Sequence, residues 1–222
     1  MSIRLAISVE GQTEERFIKD VLAPHLGLFG VYAIPVVVAT SRSASGAKSK
    51  GGGINTDRIN SELSKLLYGF SKGFVTSLYD FYGFEDRIPG ENVWELENRI
   101  SNKLGNPRNL ITYVQLHEFE GLLLSDSMIV AEYFHKPDLR QIVTSTVKAA
   151  GGPEQVNNGT LTSPSKRLEQ WTGTNTRVDL RYTKATKTRH APQLAARLTL
   201  PTIRAACPRF HAWVERLERL GT

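Results

Sequence analysis

Ser8-Val9-Glu10-Gly11-Gln12-Thr13-Glu14-Glu15 places a carboxylate where an apolar strand ends and a helix begins. The run before it, Ile3 to Val9, alternates apolar and polar residues with the period of a strand, and Gly11 supplies a turn residue. After it, Phe17, Val21 and Leu22 recur at helical spacing, with Thr13 expected as the cap and Pro24 expected to kink or end the helix. Glu10 thereby emerges at a strand's C-terminal edge, where open α/β sheets build their sites. Glu14 falls in the first helical turn beside it. First-turn acids often only complement the helix dipole, yet a carboxylate at a strand mouth is repelled by a second one unless a cation or proton intervenes. A divalent metal is the economical explanation.

The same alternation continues along the chain. Residues 31–39 are rich in β-branched side chains and read as a second buried strand, with Pro35 pointing to an edge or an irregularity. Residues 40–53 are small and polar, and are expected to form a mobile loop that bound nucleic acid orders through Arg42, Lys48 and Lys50. Their glycines lack the GxxxxGK(S/T) spacing of a nucleotide-binding loop. A helix over 54–70 carries Ile59, Leu63, Leu66 and Leu67 on one stripe. A third strand over 73–79 ends at Asp80; a helix over 94–104 and a fourth strand over 110–116 follow. Strands alternating with helices imply a mostly parallel sheet, whose C-terminal edge collects Glu10, Asp80 and Glu118. Beyond this edge the pattern is helical over 118–124, 128–134, 139–149 and 208–220, with loops and short helices expected between 151 and 189. The fold class is α/β: a core over 1–125, with a basic helical extension over 126–222 packed on it as one unit.

A chain of 222 residues with 40% hydrophobic composition can bury a substantial core. No apolar stretch approaches the roughly 20 residues that span a bilayer, and no basic-then-apolar leader opens the sequence, so a cytoplasmic protein without membrane partners is expected. The single Cys207 excludes a disulfide framework and a cysteine-cluster zinc site, and its apolar setting suits packing. The net charge of +6 is unevenly spread. Residues 1–159 hold 16 Lys and Arg against 18 Asp and Glu, whereas residues 160–222 hold 12 against 4. That bias is an electrostatic footprint for a phosphate-rich partner, although a basic surface also suits an acidic protein.

Magnesium takes oxygen ligands and keeps several waters, so a few strand-end carboxylates suffice to hold it. Glu10 and Asp80 are the first candidate ligands for Mg2+ or Mn2+, and Glu14 can orient a water. In Glu118-Phe119-Glu120, Glu118 is nearest the strand end and Glu120 is a second candidate. Ser163-Pro164-Ser165-Lys166-Arg167-Leu168 offers Ser165 as a helix cap, Lys166 as a catalytic charge stabiliser and Arg167 as a phosphate contact. Lys184, Lys187 and Arg189 extend the nucleic-acid-binding strip, with Trp171 and Tyr182 interleaved either as stacking platforms or as core anchors. His117 reads as a hydrogen-bonded structural residue.

The Glu10-Gly11 strand end resembles the first motif of the Toprim domain, in which a later strand supplies Asp residues for magnesium. Four further blocks, Leu78-Tyr79-Asp80-Phe81-Tyr82-Gly83, Gln115 to Leu123, Ser163 to Leu168 and Ile203 to Phe210, resemble in this order the Toprim-like bacterial family catalogued as domain of unknown function 4276. The resemblance covers nearly the whole chain. It implies a Toprim-like sheet, a magnesium-dependent nuclease cleaving nucleic-acid phosphodiesters, and a role in bacterial defence beside an ATPase partner. The Asp-x-Asp pattern of Toprim domains is reduced here to Asp80-Phe81-Tyr82, leaving Glu118 or Glu120 to replace the second acid. Two rival readings stand beside the nuclease: a non-catalytic, metal-holding regulatory module, and another nucleotide phosphoryl-transfer enzyme.

Overall fold

The computed structural model of the chain describes residues 2–38, 54–157 and 162–222. Through the sheet the elements run β1 (Ile3–Val9), α1 (Gln12–Phe17), α2 (Ala23–Gly27), β2 (Val31–Val37), α3 (Thr56–Gly69), β3 (Phe74–Asp80), α4 (Val93–Lys103), β4 (Leu110–Ile111) and β5 (Val114–Gln115). Six helices follow: α5 (Ser127–Tyr133), α6 (Asp138–Ala150), α7 (Pro164–Gly173), α8 (Lys187–Leu198), α9 (Leu200–Ala206) and α10 (Pro208–Glu218). The mixed α/β architecture, with a helical C-terminal half, is the one the alternation implies. The 40–53 loop expectation lies outside the described residues.

The strands pair in parallel in the order β2-β1-β3-β4, with β5 also on β3. β1 and β3 occupy the centre and are buried on both faces, as parallel strands covered by helices are. One face packs Leu5, Ile7, Val9 and Leu78 into a core shared with α1, α5, α6, α8 and α10; the other packs Ala6, Val75 and Tyr79 with Ile59 and Leu63 of α3 and Leu96 and Ile100 of α4.

Several local expectations change. β2 is a half-exposed edge strand, not a buried one, and Tyr32 is 66% exposed. Val38 donates its backbone N–H to Val9, so by strand alternation the N–H that Pro35 lacks would face away from β1, where no ladder bond is missed. The predicted fourth strand is broken into β4 and β5 because β3 side chains substitute for its ladder. Thr76 Oγ1 donates to Ile111 O at 2.6 Å, Ser77 Oγ donates to Tyr113 O at 2.8 Å, and Tyr113 N–H returns a bond to Ser77 Oγ at 3.0 Å. Thr13 is not the cap: α1 starts at Gln12, two residues earlier than a Thr13 cap would place it, Gly11 stands at the cap position, and Thr13 is buried within the helix. Pro24 does not end the helix either. A π-helical turn over Ile18–Leu22 joins α1 to α2 and leaves Pro24 in α2's first turn, so the helical run passes through the proline.

α10 buries Phe210, Trp213, Val214 and Leu217 against the sheet. Trp213 Nε1 donates to Thr76 Oγ1 at 2.9 Å, and the indole stacks on Tyr113 with ring centroids 4.6 Å apart. Arg216 and Arg219 face outward. Among the described residues no helix is long and apolar enough to cross a membrane.

Candidate functional site

Parallel pairing sets Val9 beside Leu78, and Asp80 beside Gln115, so the ends of β1, β3 and β5 form one edge. Glu10 follows β1 directly. Its Oε1 accepts the backbone N–H of Asp80 at 2.6 Å, which fixes the two acids side by side despite 69 intervening positions. Asp80 Oδ1 in turn accepts the N–H of Phe119 at 2.7 Å, drawing in the segment after β5. That segment opens a 3-10 turn over Phe119–Leu124, with Glu118 just before it and Glu120 inside it.

The helical half supplies the other partners. Ser165 N–H, in the first turn of α7, donates to Glu118 Oε2 at 2.9 Å. The buried Tyr182 hydroxyl donates to Glu120 Oε1 at 2.8 Å, and Lys187 Nζ, at the start of α8, lies 3.8 Å from the same oxygen. Arg16 of α1 ties down that helix start by donating to Thr188 O at 3.1 Å. In these four carboxylates one oxygen is committed to a protein donor, which leaves lone pairs on the other to coordinate a cation.

Two glycines make room for the acids. A Cβ on Gly83 would stand 2.8 Å from both carboxylate oxygens of Glu10, and one on Gly11 would stand 3.3 Å from Glu14 Oε2. Gly83 φ is unexceptional, so it is close approach and not backbone freedom that requires glycine there.

The electrostatics follow from gathering like charges under cover. Burial, then the neighbouring Glu14, pushes the Glu10 carboxyl up to about 8. Burial, then Glu10, Glu14, Glu120 and Glu118, raises Asp80 well above the carboxylate range. Burial and Glu120 raise Glu14 and Glu118. Opposing this, Lys187 is raised, first by Glu120 and also by Glu14, Asp80 and Glu118. Five carboxylates and one ammonium thus share one electrostatic centre.

The family described as domain of unknown function (DUF4276) matches residues 9–218. The chain belongs to that family. No curated protein and no solved structure matches it. The matched span takes in each DUF4276 residue of this centre, from Glu10 to Lys187.

Of the residues singled out in this DUF4276 chain, Glu10, Glu14, Asp80, Glu118, Glu120 and Lys187 come together. Others do not join them. Lys166 is exposed and pairs with Glu169 at 2.7 Å along α7, so the cation at the acids is Lys187 and not Lys166. Arg167 Nε donates to Thr162 O at 2.7 Å, Arg189 donates to Asp179 O, and Lys184 is exposed. Ser165 contributes its backbone N–H to Glu118 instead of capping α7 with its hydroxyl; the cap position is Ser163. Tyr182 is a core anchor, since a residue 2% exposed offers no face to a base, and Trp171 packs partly buried against the same core. His117 differs from its reading as a hydrogen-bonded group: its Nδ1 is buried without a partner, and its backbone sits in the left-handed region at φ 68°. Burial and Arg87 lower its pKa to about 4.

Gly83 and the Tyr182 hydroxyl are the parts of the centre that sequence reasoning missed. The glycine closing Asp80-Phe81-Tyr82-Gly83 was the available signal. For Tyr182 no local signal exists.

Proposed function

We propose that this DUF4276 protein is a Mg2+- or Mn2+-dependent phosphodiester hydrolase acting on nucleic acid. The observation that carries the reading is the convergence of carboxylates from three strand ends onto a glycine-walled edge. The donor set is all oxygen, which suits a hard divalent cation, and the Gly83 cradle leaves the Glu10 oxygens room that a methyl group would fill. Among the described residues no three His, Cys, Asp or Glu side chains already form a metal-holding group. Magnesium does not require one, because it is commonly held by one or two carboxylates plus waters and substrate phosphate.

Glu10 and Asp80 would hold the cation, with Glu118 or Glu120 completing its shell. Bound there, a divalent cation supplies Lewis acidity to a phosphate oxygen and to water. Glu14 would accept a proton from the water it orients; burial, then Glu120, raises its pKa, which favours proton uptake. The cations Arg167, Lys184 and Arg189 would meet the phosphate backbone beside the centre.

The decisive experiment follows cleavage of a labelled oligonucleotide together with Mn2+ binding. Glu10→Gln and Asp80→Asn should each weaken Mn2+ binding by more than the roughly tenfold that loss of an outer-shell partner costs, and abolish cleavage, because each removes a ligand charge. Unchanged Mn2+ binding in both variants would overturn the metal reading. The reduced Asp80-Phe81-Tyr82 motif favours a second reading, a metal-holding regulatory module. Mn2+ binding that depends on Glu10 and Asp80, with no cleavage of DNA or RNA by the wild type, would select it.

A further inference from the structure

Lys187 is the cation of the basic half that reaches the carboxylate centre. Its backbone is anchored: its N–H donates to Thr183 O at 2.9 Å, Arg16 fastens the next residue, and Tyr182 is pinned to Glu120. Its side chain is not. The ammonium is 3.8 Å from a Glu120 carboxylate that is almost fully buried, yet the lysine side chain itself is 39% exposed. A lysine ammonium is a compact charge on a flexible four-carbon stem, and it makes no fixed fork that would lock it to one carboxylate. Lys166, by contrast, is spent on Glu169 at the surface.

We propose that Lys187 is the built-in counter-cation of the carboxylate centre, standing in for a divalent ion and displaced toward solvent when one binds. The inference rests on reading the carboxylates as a cation seat. Several clustered carboxylates under cover cannot all ionise without positive charge nearby. Lys187 supplies one unit of it, with its ammonium 3.8 Å from the buried Glu120 carboxylate. A divalent ion supplies two units at closer range, after which the ammonium and the ion repel each other. The outward swing of the stem then leaves a positive charge at the rim of the loaded site, where a phosphate would arrive. Lys187 is therefore a competitor of the metal, and neutralising it should strengthen metal binding.

The test uses Mn2+ alone as the probe, with free ion counted by electron paramagnetic resonance, on the full chain and on Lys187→Met and Lys187→Arg. Lys187→Met should bind Mn2+ about tenfold tighter than wild type, a modest share of the Coulomb term between charges a few ångströms apart near a surface. Its melting temperature in chelator should fall while its gain on adding Mn2+ grows, a crossed pattern that a purely structural lysine would not give. Lys187→Arg keeps the competing charge on a fork that can lock to a carboxylate, so it should bind Mn2+ no tighter than wild type, which also controls for folding. Equal or weaker Mn2+ binding by Lys187→Met, with wild-type binding intact, overturns the displacement role and leaves the metal reading standing. Absence of Mn2+ binding in all three proteins overturns both.

Discussion

At Gly83 the chain has no room for a methyl group: both oxygens of Glu10 would lie 2.8 Å from it. Gly83→Ala must therefore move Glu10 or the 3-10 turn over Phe81–Gly83, and Glu10 is also held by the Asp80 N–H. The expected outcome is a loss of Mn2+ affinity of about tenfold or more with a stability change of about 1 kcal/mol, the size of an ordinary point substitution. Calorimetric titration and thermal melting on the same sample check it; wild-type Mn2+ affinity would show that the Glu10 carboxylate need not occupy its present place. Cys207 makes the opposite kind of prediction. It is fully buried, its thiol is pushed up to about 12 chiefly by burial, and the Ser125 hydroxyl lies 3.4 Å from its sulfur. Thiolate is the reactive form, so alkylation of native protein at neutral pH should proceed only as fast as the chain unfolds, and addition of denaturant should release it.

Among the elements, α10 is held to the sheet by a polar contact as well as by apolar area. Trp213→Phe keeps most of the ring stacking on Tyr113 but removes the donor to Thr76 Oγ1, which itself donates to Ile111 O. A buried acceptor losing its partner costs about 1–3 kcal/mol, so chemical denaturation should shift by that amount, whereas a change within error would make the indole N–H irrelevant. The same hydrogen bonds show where sequence reading stops. β1 and β3 were legible because a central strand's own residues carry its signal, and Glu10 and Asp80 were legible as the acids that end them. The fourth strand was not, since its break is decided by Thr76 and Ser77, whose partners lie 35 and 36 positions away. Lys166 and Lys187 look alike in a basic strip; long-range contacts, the Tyr182 to Glu120 bond spanning 62 positions and Lys187 beside the same oxygen, tell which one reaches the acids. Thr13 and Pro24 misled for a local reason, because Gly11 could begin the helix and the π turn could absorb the proline.

For the whole molecule the charges divide into an acidic centre at the sheet edge and a basic half that covers it. If the basic half meets nucleic acid as proposed, replacing Arg167, Lys184 and Arg189 by Gln should flatten the salt dependence of oligonucleotide binding, by about one unit of logarithmic slope for each phosphate that is no longer neutralised. The acidic centre sets the response to pH. Glu10 has its folded pKa raised to about 8 from an ordinary 4.5, chiefly by burial. Below about pH 4.5 the carboxyl is protonated in the folded and the unfolded chain alike, and its contribution to stability is fully present. Between that pH and about 8 the unfolded chain loses the proton while the folded chain keeps it, so stability falls as pH rises, by at most about 1.4 kcal/mol per unit for this group. Asp80, Glu14 and Glu118 are raised in the same sense and add to the decline. A divalent cation held by these acids, as proposed, would reverse the balance, because its binding free energy is added to the folded state and grows as protons leave. Melting temperatures from pH 5 to pH 8 should therefore fall in chelator and flatten or rise in saturating Mg2+, with the two curves diverging most at the alkaline end. Parallel curves would mean that the protons on these acids and the cation do not compete for one place.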